Sequence, residues 1–97
     1  MSRSLIERRL VEVNRRLRRA REELSVVDEQ LGALTEAAEE TRIRALVSET
    51  PLADHDHRDA QRHADAMARS RAAAMASIAE LERAQDDLLD RLVIESR

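Results

Sequence analysis

The sequence predicts an all-α protein: an antiparallel two-helix coiled-coil hairpin that associates into a helical bundle. Three observations predict it. Leu10, Leu17, Leu24 and Leu31 recur every seven residues, and Val13, Ala20, Val27 and Leu34 each follow three residues later. Taking Leu10 as heptad position a, these form consecutive a/d pairs, the pattern of a helix whose apolar seam packs on another helix. A second stripe, Ala64, Met67, Ala74, Ile78, Leu81, Leu88 and Leu92, follows the one proline, Pro51. The chain also has no Phe, Tyr or Trp, which removes the residues that large globular cores use for buried area.

At 97 residues the chain makes one domain. The first helix is predicted over residues 5–47. Ser4 serves as its N-cap, with Glu7 three residues on in capping-box spacing. Gly32 falls at an outward position b, at a cost of up to ~1 kcal/mol relative to Ala. The break is residues 48–51. Proline pushes Thr50 out of the α region, so Thr50 caps a second helix over residues 51–95 with Pro51 at its first position.

The two stripes match each other when the turn is centred near Leu52. Leu17 then faces Leu88, Leu24 faces Leu81, Val27 faces Ile78 and Val13 faces Leu92. In that register Gln85 lies opposite Ala20, and Arg71 extends past Leu34 with its charge outward. Large residues meet near the termini, and Ala and Thr meet near the turn. Beside the seam lie Val26, Ala33, Ala37, Ala68, Met75, Leu89 and Val93. This stripe is wider than one zipper needs, and it predicts a homo-oligomer.

Two clusters are candidate sites. Arg15, Arg16, Arg18 and Arg19 sit in an arginine run, a basic patch that would suit phosphate contact. The register sets Asp86, Asp87 and Asp90 at their level, and no aromatic is present to stack a base. A nucleic-acid partner is therefore disfavoured. Near the turn lie Asp54, Asp56 and Asp59 among His55, His57 and His63. His55, Asp59 and His63 share one helix face, but three residues along one helix span ~12 Å, too far to hold one ion. No metal or other cofactor is expected. The acidic residues Asp54, Asp56 and Asp59 form a candidate interaction tip.

There is no cysteine, no Gly-rich phosphate loop, and no cavity in a two-helix hairpin to orient a nucleophile. An enzyme is not expected. The formal charge of −3 is too small to imply a partner class. All 17 basic residues are Arg. The N-terminal residues lack a signal-peptide pattern, and no apolar run approaches membrane-spanning length, which predicts a cytoplasmic protein without a membrane partner. The expected role is a coiled-coil protein–protein interaction or scaffold module, whose partner the sequence does not name.

An antiparallel coiled coil with the carboxylates Asp54, Asp56 and Asp59 at its tip resembles the N-terminal hairpin of Gre-type transcript-cleavage factors. Those factors insert their hairpin into the secondary channel of RNA polymerase. The resemblance is architectural and covers the hairpin alone. It implies the alternative role: a regulator presenting an acidic hairpin tip to a nucleic-acid machine such as RNA polymerase.

Overall fold

A computed structural model describes residues 1–97. Two helices account for nearly all of them: α1, Arg3–Ser48, and α2, Pro51–Glu95. There are no strands. The chain clusters into two compact units, Met1–Leu24 with Ala74–Arg97, and Ser25–Ala73. Each unit is an antiparallel pair, one segment from each helix. Neither helix is long and apolar enough to cross a membrane.

Local chemistry sets the helix ends. The N-cap of α1 is Ser2, not Ser4: its Oγ accepts a hydrogen bond from the Leu5 N–H at 3.3 Å. Arg3 is a good helix former with Ser2 before it, so the helix starts earlier and the cap falls on Ser2. At the other end, the Glu49 N–H donates to the Ala45 carbonyl at 3.1 Å. Glu49 has φ of 50°. One left-handed residue thus closes α1 by bonding back to its last turn. Thr50 then caps α2 as expected, its Oγ1 accepting from the Ala53 N–H at 3.2 Å.

The seam residues are those of the heptad reading, but their pairing differs. In the first unit Ile6, Leu10 and Leu88 form one buried cluster, with Val13 and Leu92 packed on it. Leu88 therefore meets Leu10 rather than Leu17, a slide of one whole heptad. Across the same unit the Gln85 side-chain amide donates to the Asn14 Oδ1 at 2.7 Å, so Gln85 does not lie opposite Ala20. In the second unit the Arg71 guanidinium donates to the Asp28 carboxylate. Arg71 is thus paired within the chain, not extended past Leu34.

The connection explains the slide. Only Glu49 and Thr50 separate the helices, so the midpoint lies before Pro51 rather than near Leu52. A heptad pattern looks the same after a slip of seven, because every a and d residue still faces the seam. The turn decides between the two registers. In the observed one, Leu17 is level with Leu81, Leu24 with Ala74, Leu31 with Met67, Ala38 with Ala60, and Ala45 with Ala53. All ten are buried or half-buried.

Candidate functional site

The turn end of the second unit carries the acidic candidates. Asp54 lies in the first turn of α2, where the unpaired N–H groups of a helix start favour a carboxylate. Asp54 and Asp56 are exposed, and neither takes part in a side-chain hydrogen bond or ion pair. Asp59 differs. Its carboxylate accepts from the Arg62 guanidinium at 2.6 Å, and that hydrogen bond holds its pKa below the usual value. Of the three predicted tip residues, two are free for a partner and one is engaged by its own helix.

The histidines do not converge. His55 and His63 are exposed, while His57 is half-buried. Its Nδ1 is enclosed without a hydrogen-bond partner. His57 occupies the seam level with Thr41, whose hydroxyl donates back to the Ala37 and Ala38 carbonyls at 2.8 and 3.0 Å. That hydroxyl is therefore already committed. No three His, Cys, Asp or Glu side chains are grouped so as to hold a metal ion.

Sequence reasoning missed a second feature of this region. Ile43, Leu46, Val47 and Leu52 are all exposed. Ile43, Leu46 and Val47 share one stripe of α1 by their i, i+3, i+4 spacing, and that stripe lies off the a/d seam. The spacing was available as a signal, but a reading confined to the heptad passes over it. Beside the seam of the same unit, a groove of about 490 Å³ is lined by Leu31, Thr35, Ala38, Arg42, Gln61 and Ala68, among others. In it the Arg42 guanidinium binds the Glu39 carboxylate at 2.6 Å. That bond holds the Glu39 pKa down.

The basic candidates lie in the first unit, where Arg15, Arg18 and Arg19 share one face of α1 by their i, i+3, i+4 spacing and Arg16 lies apart. Arg16 lines a groove of about 380 Å³ with Arg9, Val13, Asp87, Leu88 and Arg91. Arg15 and Arg18 line a different hollow of about 310 Å³ with Val11 and Asn14. Arg15 is also ion-paired to Glu12 at 3.1 Å. Arg19 is exposed. The one-heptad slide moves Asp86, Asp87 and Asp90 from the level of Arg15–Arg19 toward that of Arg8–Glu12. Asp87 nevertheless shares the groove with Arg9 and Arg16, so the field there is mixed in sign.

Comparison with protein families, with curated proteins and with solved structures finds no match for this chain.

Proposed function

We propose that this protein is a non-enzymatic coiled-coil module for protein–protein interaction or scaffolding, working in the cytoplasm. One observation carries the reading. The a/d seam is satisfied inside the chain, yet large apolar side chains stay exposed outside it: Val11, Met75, Leu89 and Val93 in the first unit, and Ile43, Leu46, Val47 and Leu52 in the second. Apolar surface gathered on helix flanks is the kind that partner helices cover. The grooves are open and lined by seam residues and arginines.

A second reading, a regulator that presents its acidic tip to a nucleic-acid machine, draws support from Asp54 and Asp56, which are exposed and unpaired within the chain. Affinity capture from a native lysate, using the parent and an Asp54→Asn/Asp56→Asn/Asp59→Asn variant, separates the two. The interaction module should hold one stoichiometric protein partner with either bait. The regulator should hold polymerase subunits with the parent and lose them with the variant. A bait that retains no protein above background would overturn both.

A further inference from the structure

In the first unit, two stripes flank the seam on one side. On α1 the stripe is Glu7, Val11, Asn14, Arg18 and Arg21. On α2 it is Met75, Ala79, Glu82, Asp86, Leu89 and Val93. Each stripe steps by three or four residues and so occupies one helix face. Gln85 reaches Asn14 on this side. The other side of the seam is the groove of Arg9, Arg16, Ala84 and Arg91.

The two stripes differ in sign. The α1 stripe carries Arg18 and Arg21, while its one acid, Glu7, is already held by Arg3 at 3.1 Å; the α2 stripe carries Glu82 and Asp86 and no base. Arg18, Arg21, Glu82 and Asp86 are not ion-paired within the chain, whereas Arg15, Arg42, Arg62 and Arg71 each are. Interspersed with them are apolar side chains that stay open: Val11 at 59%, Val93 at 55%, Leu89 at 44% and Met75 at 43% of full exposure.

We propose that this face of the first unit docks a second copy of the same chain, through a two-fold axis parallel to its helices. The proposal rests on the interaction-module reading and names its partner. Such an axis lays the basic α1 stripe of one copy on the acidic α2 stripe of the other, with neighbouring helices antiparallel, as in a four-helix bundle. Residues level within one chain then become neighbours between chains. Arg18 meets Glu82 of the second copy, and Val11 meets Leu89 of the second copy. The hollow of Val11, Asn14, Arg15 and Arg18 receives that leucine. A two-fold axis perpendicular to the helices would set α1 on α1 and α2 on α2, arginine against arginine and acid against acid. Charge complementarity therefore selects both the occupant and its orientation.

Two charge-reversed variants test this: Arg18→Glu/Arg21→Glu, and Glu82→Arg/Asp86→Arg. Sedimentation equilibrium reads the mass, and far-UV circular dichroism checks that each variant is helical. The parent should have twice the mass of one chain. Each variant alone sets like charges across both contacts, and its dissociation constant should rise at least tenfold. Mixed in equal amounts, the two variants restore opposite charges across both contacts, so the dimer mass should return. Such rescue is unavailable to chains that merely failed to fold. A monomeric parent overturns the proposal, as do variants that stay dimeric or a mixture that stays monomeric. These outcomes leave the interaction-module reading standing, because the lysate capture tests that separately.

Discussion

Arg71 on α2 and Asp28 on α1 form the one ion pair that joins the two helices. Both side chains remain near half exposed, at 41% and 46%, so solvent screens the pair and its net contribution to stability is about 0.5 kcal/mol. Its larger consequence is for pairing. Arg71 and Gln85 are the charged and amide side chains on the α2 half of an otherwise apolar and histidine seam. Each finds its partner, Asp28 and Asn14, in one register only. Polar seam residues that specify register at a cost in stability are well attested in coiled coils. The variant Arg71→Leu/Gln85→Leu should therefore melt higher than the parent but pair less uniquely. Paired cysteines read this directly. Leu17→Cys with Leu81→Cys should oxidise within the chain in dilute solution, because these positions are level. Leu17→Cys with Leu88→Cys should not, unless the two leucines are also introduced. Equal oxidation of both pairs in the parent background would show that the register is not specified.

The two helices, the break between them and the a/d seam were legible in the sequence, because heptad spacing, a single proline and a threonine before it are strong local signals; the start of α1 was not, since Ser2 rather than Ser4 caps it. The register was not. Pairing large residues with large ones selects Leu17 with Leu88 as readily as Leu10 with Leu88; the length of the turn and the Arg71–Asp28 and Gln85–Asn14 pairs separate them. Turn length depends on Glu49 adopting a left-handed conformation, which a glutamate does not advertise. The candidate tip was legible as composition. Its chemistry was not, since the pairing of Asp59 with Arg62 follows from side-chain directions.

Two backbone positions should respond in a predictable direction. Glu49 holds φ of 50° with a side chain attached, a conformation that costs an L-residue ~1 kcal/mol and glycine almost nothing. Glu49→Gly should therefore stabilise by up to ~1 kcal/mol, less the greater entropy that glycine brings to the unfolded chain. Gly32 is the reverse case. A Cβ added there would meet nothing within 4 Å, so Gly32→Ala should stabilise by ~0.8 kcal/mol through helix propensity alone. Urea midpoints at constant slope measure both. A loss of stability in Gly32→Ala would mean that position is covered by another chain.

Stability should be uneven along the helices. The buried apolar residues of the first unit are Ile6, Leu10, Leu17, Ile78 and Leu88, whereas those of the second are Ala38, Ala53 and Ala64. An alanine removes far less area from water than a leucine, at ~25 cal/mol per Å². Leu10→Ala or Leu88→Ala should cost about 2 kcal/mol or more, and Ala64→Gly about 1 kcal/mol, mostly from helix propensity. Amide hydrogen exchange should be slower around Leu10 and Leu88 than around Ala38 and Ala64. The opposite order would place the stabilising contacts elsewhere.

Acid should release the surface pairs late. Hydrogen bonds from Arg62 and Arg42 hold the carboxyls of Asp59 and Glu39 below their ordinary values. A folded-state value below the unfolded one gives stability that is fully present above the ordinary carboxylate range, near pH ~4. That stability is lost as pH falls through the lowered folded values. Both pairs are exposed, so the change should be small. Carboxyl carbon NMR titration should show the Asp59 midpoint rise in Arg62→Ala and the Glu39 midpoint rise in Arg42→Ala. Unmoved midpoints would mean that these bonds do not persist in solution.

The arginine run should bind nucleic acid only weakly and without sequence preference. Arg15 is tied to Glu12, Arg16 shares its groove with Asp87, and Arg15 and Arg18 lie in a different hollow from Arg16. Arg15, Arg18 and Arg19 share one exposed face of α1 by their i, i+3, i+4 spacing, but Glu12 offsets Arg15 and Arg16 lies apart beside Asp87. With no aromatic side chain in the chain, base stacking contributes nothing, and phosphate contact is the remaining attraction. Binding by phosphate contact alone falls steeply as salt rises, because each contact releases condensed counterions. Fluorescence anisotropy with a labelled duplex and a labelled single strand should show affinity at low ionic strength that disappears near ~150 mM salt. The Arg15→Ala/Arg16→Ala/Arg18→Ala/Arg19→Ala variant should reduce the salt slope without changing preference between sequences. Tight binding that persists above that salt and vanishes in the variant would show that the run acts as one surface, and would make nucleic acid a partner in its own right.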